Sequence, residues 1–157
     1  MQMIEMSSLE FATFQKQSIR NVTMQRIEDF AEDLSVAQAH AEKVFNDHLP
    51  SGLKTPEHYF YQIKNDKLEA CGYLWFGQKI QDGQKKLFIY DILVEEEYRG
   101  KGYGKWMLNW LEKEAQKLKL QEISLHVLAY NQVARELYES MGFEMTNIYM
   151  SKKIKLD

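Results

Sequence analysis

The residues best equipped for chemistry are Arg99-Gly100-Lys101-Gly102-Tyr103-Gly104, in which alternating glycines are interleaved with two cations. Upstream, Leu87-Phe88-Ile89-Tyr90-Asp91-Ile92-Leu93-Val94 is β-branched and aromatic and predicts a strand. Downstream, Met107, Leu111, Ala115 and Leu118 recur at helical spacing, with Leu108 and Trp110 widening the apolar face. The glycines therefore sit at a strand-to-helix turn. There the first helical amides have no intrahelical partner and carry the positive end of the helix dipole, so the turn suits an anion such as phosphate.

Spacing narrows the choice of phosphate site. A Walker loop built on Gly104-Lys105 needs glycine where Arg99 stands and a hydroxyl where Trp106 stands. A dinucleotide fingerprint starting at Gly100 needs glycine where Lys105 stands. What remains is Arg, two residues, Gly, one residue, Gly. This pattern resembles the coenzyme A pyrophosphate loop of the GNAT superfamily of acetyl-CoA-dependent N-acetyltransferases. A second segment, running from Asn131-Gln132-Val133-Ala134 through Leu137-Tyr138 to Gly142-Phe143, resembles that family's last helix and its glycine-ended turn, in register. The resemblance covers residues 57–153 well and residues 1–50 only in general character.

In such enzymes an amine attacks the acetyl thioester directly. The resemblance implies that the pyrophosphate lies on the amides of Arg99, Gly100, Lys101, Gly102, Tyr103, Gly104 and Lys105. It also implies that the backbone of Ile92, Leu93 and Val94, on a strand that splays from its neighbour, binds pantetheine, with an amide near Leu93 aimed at the thioester oxygen. From the residues alone, Ile92, Leu93 and Val94 read equally well as core strand. Tyr138 matches the family tyrosine that protonates the departing thiolate as general acid, although by spacing it shares a core stripe with Ala134, Leu137 and Met141. Asn131 either caps that helix or bonds the pantetheine arm.

The proton acceptor has two candidates. Asp91 is a carboxylate inside an apolar strand, with Ile89 and Leu93 as its same-face neighbours by alternation, so its burial is costly unless it is paired or lines a cleft. It serves either as base or as amine holder, with a purely structural carboxylate as the alternative. His126, on the strand after the helix, is the second candidate base, with an ordinary strand histidine as its alternative. Glu95-Glu96-Glu97 reads as a solvated turn.

The acceptor amine stays open between a small molecule, a polyamine and a peptide or protein amine. Glu28, Asp29, Glu32 and Asp33 form an acidic stretch that would attract a polyamine or, more simply, face solvent. Tyr59 and Tyr61 share one face of their strand and His58 the other; they line a cleft or pack in the core. Two other readings stand beside the N-acetyltransferase: a coenzyme A binding module without catalysis, and an acyltransferase using a different acyl chain or a hydroxyl acceptor.

The elements that must position these residues follow from the rest of the chain. Its 157 residues suit a single domain with one core, and 20 basic against 23 acidic residues argue against nucleic acid as a partner. A lone cysteine, Cys71, the lack of a long apolar run and the lack of a signal pattern point to a cytoplasmic protein without a membrane span or metal. The expected partners are acetyl-CoA and an amine, and a homodimer is left open. The expected order is an edge strand at Met1–Met6, helices at Leu9–Asn21 and Phe30–Asn46, strands at His58–Lys64, Leu68–Phe76 and up to Val94, the helix after the glycines, a strand at Ile123–Leu128, a helix from Asn131, and a final strand at Glu144–Lys153. The implied fold class is α/β, a mixed, mostly antiparallel sheet flanked by helices on both faces. Residues 1–50 would wall the acceptor site and residues 57–153 would hold the coenzyme.

Overall fold

A computed structural model describes residues 1–156. The elements are β1 (Gln2–Glu5), α1 (Ser8–Phe30), α2 (Leu34–His48), β2 (His58–Lys64), β3 (Ala70–Gln81), β4 (Gln84–Val94), α3 (Tyr103–Lys117), β5 (Ile123–Leu125) and α4 (Gln132–Ser140). The strands form one sheet in the order β1-β2-β3-β4-β5, with β5 parallel to β4 and every other pair antiparallel. This is the mixed, mostly antiparallel sheet expected. The chain divides into two compact units, Met1–His126 and the remainder from Val127, which are described separately.

In the first unit, helices cover both sheet faces. Phe11 and Phe14 of α1 and Phe45 of α2 form an aromatic core with Phe60, Tyr73 and Trp75 of the sheet. On the opposite face, Tyr59 and Tyr61 stack on Phe76, and Trp110 of α3 meets both Tyr61 and Phe76. Met107, Leu108 and Leu111 of α3 are fully buried, as their spacing predicts. Tyr59 and Tyr61 are thus half-buried packing residues.

Local chemistry explains the element ends. Ser7 and Glu10 form a reciprocal capping box at the start of α1, and the Ser7 amide with the Ser7 hydroxyl and Lys64 holds the Glu10 carboxyl down at about 2. α1 runs past the expected Asn21 because no glycine or proline interrupts residues 22–30; it stops where Ala31 turns left-handed at φ 52°. Glu32, one of the acidic stretch, is paired with Arg26. Asp82 and Gly83, both with positive φ, make the tight turn between β3 and β4. The turn before β3 is broader than expected: Asn65 Oδ1 accepts from the Lys67 and Glu69 amides at 2.9 and 3.0 Å, and β3 begins only at Ala70.

In the second unit, α4 is present, capped by Asn131, but the expected strand at Glu144–Lys153 is not formed. Its apolar residues Met145, Ile148, Tyr149 and Met150 are exposed, and none enters a ladder. Strand propensity does not make a strand without a partner for its amides and a surface for its apolar face.

Candidate active site

The glycine turn after β4 has the conformation that an anion site requires. Gly100 and Gly102 adopt φ 70° and 85°, and a side chain at either would meet nothing within 4 Å, so the turn is open on that side. Gly102 is the N-cap of α3; the first helical bond runs from the Trp106 amide to the Gly102 carbonyl at 3.0 Å. The amides of Tyr103, Gly104 and Lys105 precede that bond, where a helix has no internal acceptor to offer. The two cations brace the loop: Arg99 Nε donates to the Val94 carbonyl at 3.0 Å, and Lys101 Nζ to the Glu97 carbonyl at 2.8 Å. Arg99 thereby ties the loop to the end of β4.

β4 itself changes character at Tyr90. Trp75 pairs with Asp91 and Phe76 with Ile89, so Tyr90 is an extra residue, a β-bulge. The bulge reverses the alternation. Ile89 stays with Phe76 on the α3 face, whereas Asp91 lies with Trp75 on the α1/α2 face; the expected same-face pairing of Asp91 with Ile89 is therefore corrected, and that with Leu93 holds.

The same reversal re-aims the backbone. Glu95 N–H donates to the Cys71 carbonyl at 2.9 Å, so ladder alternation makes Leu93 and Tyr73 the next mutually bonded pair. Leu93's own amide is therefore spent on β3, and the backbone groups turned away from β3 are those of Ile92 and Val94. Beyond Ile89 they have no ladder on that side, because the parallel pairing with β5 stops at Ile89 and Leu125. The two strands part there. Within the ladder, opposite Phe88, the Ser124 hydroxyl of β5 is buried and lacks a hydrogen-bond partner among the described residues. An open glycine turn next to a strand end with unladdered backbone fits a long ligand that carries a pyrophosphate.

Asp91 is mostly buried, and Tyr73 Oη donates to its Oδ2 at 3.1 Å. Burial pushes the carboxyl up to about 6, while the Tyr73 hydroxyl and the Ile92 amide pull in the other direction. No cation is paired with it among the described residues. On the same sheet face, Tyr90 stacks at 4.7 Å on Trp75, the cross-strand partner of Asp91, and meets His48 and His58 at 5.5 and 5.0 Å. Trp75 Nε1 donates to His58 Nδ1 at 3.0 Å, and burial lowers the His58 pKa. Tyr73 and Tyr90 were not singled out by the sequence, because only the β3–β4 register and its bulge bring them to Asp91.

His126 lies just past the end of β5 and is exposed, with no part in the Asp91 cluster. In the second unit, Asn131 Oδ1 accepts from the Ala134 amide at 3.2 Å, which realises its capping use. Tyr138 is buried, with the Phe143 ring 5.6 Å away.

The sequence profile of the Acetyltransferase (GNAT) family matches residues 19–143. The chain belongs to this family. Among its relatives in Bacillus subtilis (strain 168), the uncharacterized N-acetyltransferase YycN is 43% identical over 118 residues, covering 75% of this chain and 76% of that one. The uncharacterized N-acetyltransferase YdgE of the same organism is 35% identical over 150 residues, covering 96% of each. The crystal structure of Bacillus subtilis YycN superposes with a TM-score of 0.88 at 35% identity, over 99% of each chain. This GNAT chain is accordingly an acyltransferase enzyme of a family whose co-substrate is acetyl-CoA. No group of His, Cys, Asp and Glu able to hold a metal occurs among the described residues, and none of their helices is long and apolar enough to cross a membrane.

Proposed function

We propose that the protein is an N-acetyltransferase that passes the acetyl group of acetyl-CoA directly to a primary amine, with Asp91 and Tyr138 handling the protons. The observation that carries this reading is the unpaired end of β4 beyond Ile89, which leads by a short turn into the left-handed glycines of the loop. The pyrophosphate is held by amides of the Arg99–Lys105 turn, and the pantetheine arm by the backbone of Ile92 and Val94, since that of Leu93 is spent on β3. Of these, the Val94 amide faces away from β3 and is suited to the thioester oxygen, where a positioned donor is worth about 3 kcal/mol in a transition state. The amine arrives as an ammonium that the uncompensated Asp91 carboxylate attracts. The Asp91 carboxylate first takes one proton from that ammonium, which frees the nitrogen lone pair to attack the acetyl carbonyl. The tetrahedral adduct then collapses with cleavage of the C–S bond, the phenol of Tyr138 protonates the leaving thiolate, and the remaining nitrogen proton passes through solvent to restore the phenol. His126 is the secondary candidate for the base. The acceptor is the amine of a small molecule, a polyamine or a peptide or protein, and the enzyme works as a single catalytic domain in the cytoplasm, as a monomer or homodimer.

The test has two arms. Acetyl-CoA should raise the melting temperature while ATP and NAD do not, since a ligand that binds the native state stabilises it by mass action. A panel of amines (a diamine, a polyamine, a lysine peptide and an aminoglycoside) is then followed by thiol release. Equal protection by ATP and acetyl-CoA would instead indicate a general phosphate site. Protection without thiol release from any amine would indicate a coenzyme A binding module, and a faster reaction with propionyl-CoA a different acyl donor.

A further inference from the structure

We infer that Tyr73 is a positioning residue for the proton transfer: its hydroxyl, together with the Ile92 amide, holds the Asp91 carboxylate in the orientation in which it meets the amine. The inference rests on the reading of Asp91 given above. Tyr73 Oη lies 3.1 Å from Asp91 Oδ2, and the phenol is 7% exposed, so water competes little for either group. Its ring is held edge-on by Phe14 of α1 at 5.0 Å, and its backbone by the paired Leu93. Burial and the adjacent Asp91 raise the phenol's pKa, so it remains protonated throughout the working range. A phenol has one proton to donate, and here that proton is committed to Asp91. Were Tyr73 only a core residue, its ring would do all its work and the hydroxyl would be dispensable.

The other titratable groups on this sheet face are Tyr90, next to Asp91 on β4, with His58 of β2 and His48 of α2 both against Tyr90; Glu95 acts on Tyr73. α1 contributes the uncharged Phe14 ring. Because a donated hydrogen bond favours the carboxylate, its removal raises the pKa of Asp91. The experiment is the pH profile of kcat/KM for acetyl transfer to an amine turned over in the panel, in wild type, Tyr73→Phe, Asp91→Asn and His58→Gln. A ¹³C-carboxyl titration of Asp91 by NMR, assigned with Asp91→Asn, supplies the same pKa without any acceptor. Tyr73→Phe should move the acidic limb and the Asp91 titration up by about one pH unit, while kcat/KM well above the limb falls less than about threefold. Replacing Tyr73 with 3-fluorotyrosine, a stronger donor of similar shape, should move both down. An Asp91 titration unmoved in both variants, or a uniform loss at every pH, overturns the inference while leaving Asp91 as the base. A limb that survives Asp91→Asn refutes the Asp91 reading itself, and one that moves in His58→Gln assigns the limb to the imidazole.

Discussion

Asp91→Asn should make the protein more stable at neutral pH while impairing it as a catalyst, and the two effects can be separated by pH. Burial raises the Asp91 pKa from 3.8 to about 6 in the folded state. The native state therefore binds a proton more tightly than the unfolded chain does. Stability from this group is complete below pH 3.8 and is lost as pH rises through 6. The difference, 6 minus 3.8, is about 2.2 units, which at 1.36 kcal/mol per unit is roughly 3 kcal/mol of native-state cost once the carboxyl is charged. At pH 5 about half of that cost applies, because the folded carboxyl is still largely protonated while the unfolded one is not. Asparagine has nearly the same shape, keeps an oxygen for the Tyr73 hydroxyl and carries no charge. Urea unfolding at pH 8 should show the variant more stable by up to about 3 kcal/mol, with the gain roughly halved at pH 5. A gain independent of pH would show that the effect is not titration of Asp91. A loss of stability at pH 8 would show that the carboxylate is compensated by a partner and that the argument from burial is wrong.

Gly102→Val should weaken acetyl-CoA binding at least tenfold, about 1.4 kcal/mol, by isothermal titration, because valine is strained at φ 85° and its side chain projects into the open side of the turn; unchanged affinity in a folded variant would remove the loop from the site. Tyr138→Phe keeps the ring beside Phe143 but loses the donor, so kcat should fall about 100-fold with acetyl-CoA affinity nearly constant. Wild-type kcat, on a substrate for which chemistry limits the rate, would return Tyr138 to a packing role.

Much of this protein is written in short-range signals. The glycine turn, the apolar stripe of α3, the Asn131 cap and the bounds of β2 were all legible, because each depends on residues within one or two turns of chain: the positive φ of that turn falls on Gly100 and Gly102, and a cap needs only its own side chain and an amide three residues on. Tertiary pairing decided the rest. Alternation read along β4 alone puts Asp91 on the same face as Ile89, yet the bulge at Tyr90 exists only in the register between β4 and β3, and it sends Asp91 to Tyr73 and re-aims the amides of Ile92 and Val94. The strand-like stretch after Glu144 met the opposite fate, since in the described residues nothing pairs with it. A carboxylate's pKa, a phenol's partner and a strand's existence all belong to neighbours distant in sequence, which is why residue types announced the chemistry and only the sheet register placed it.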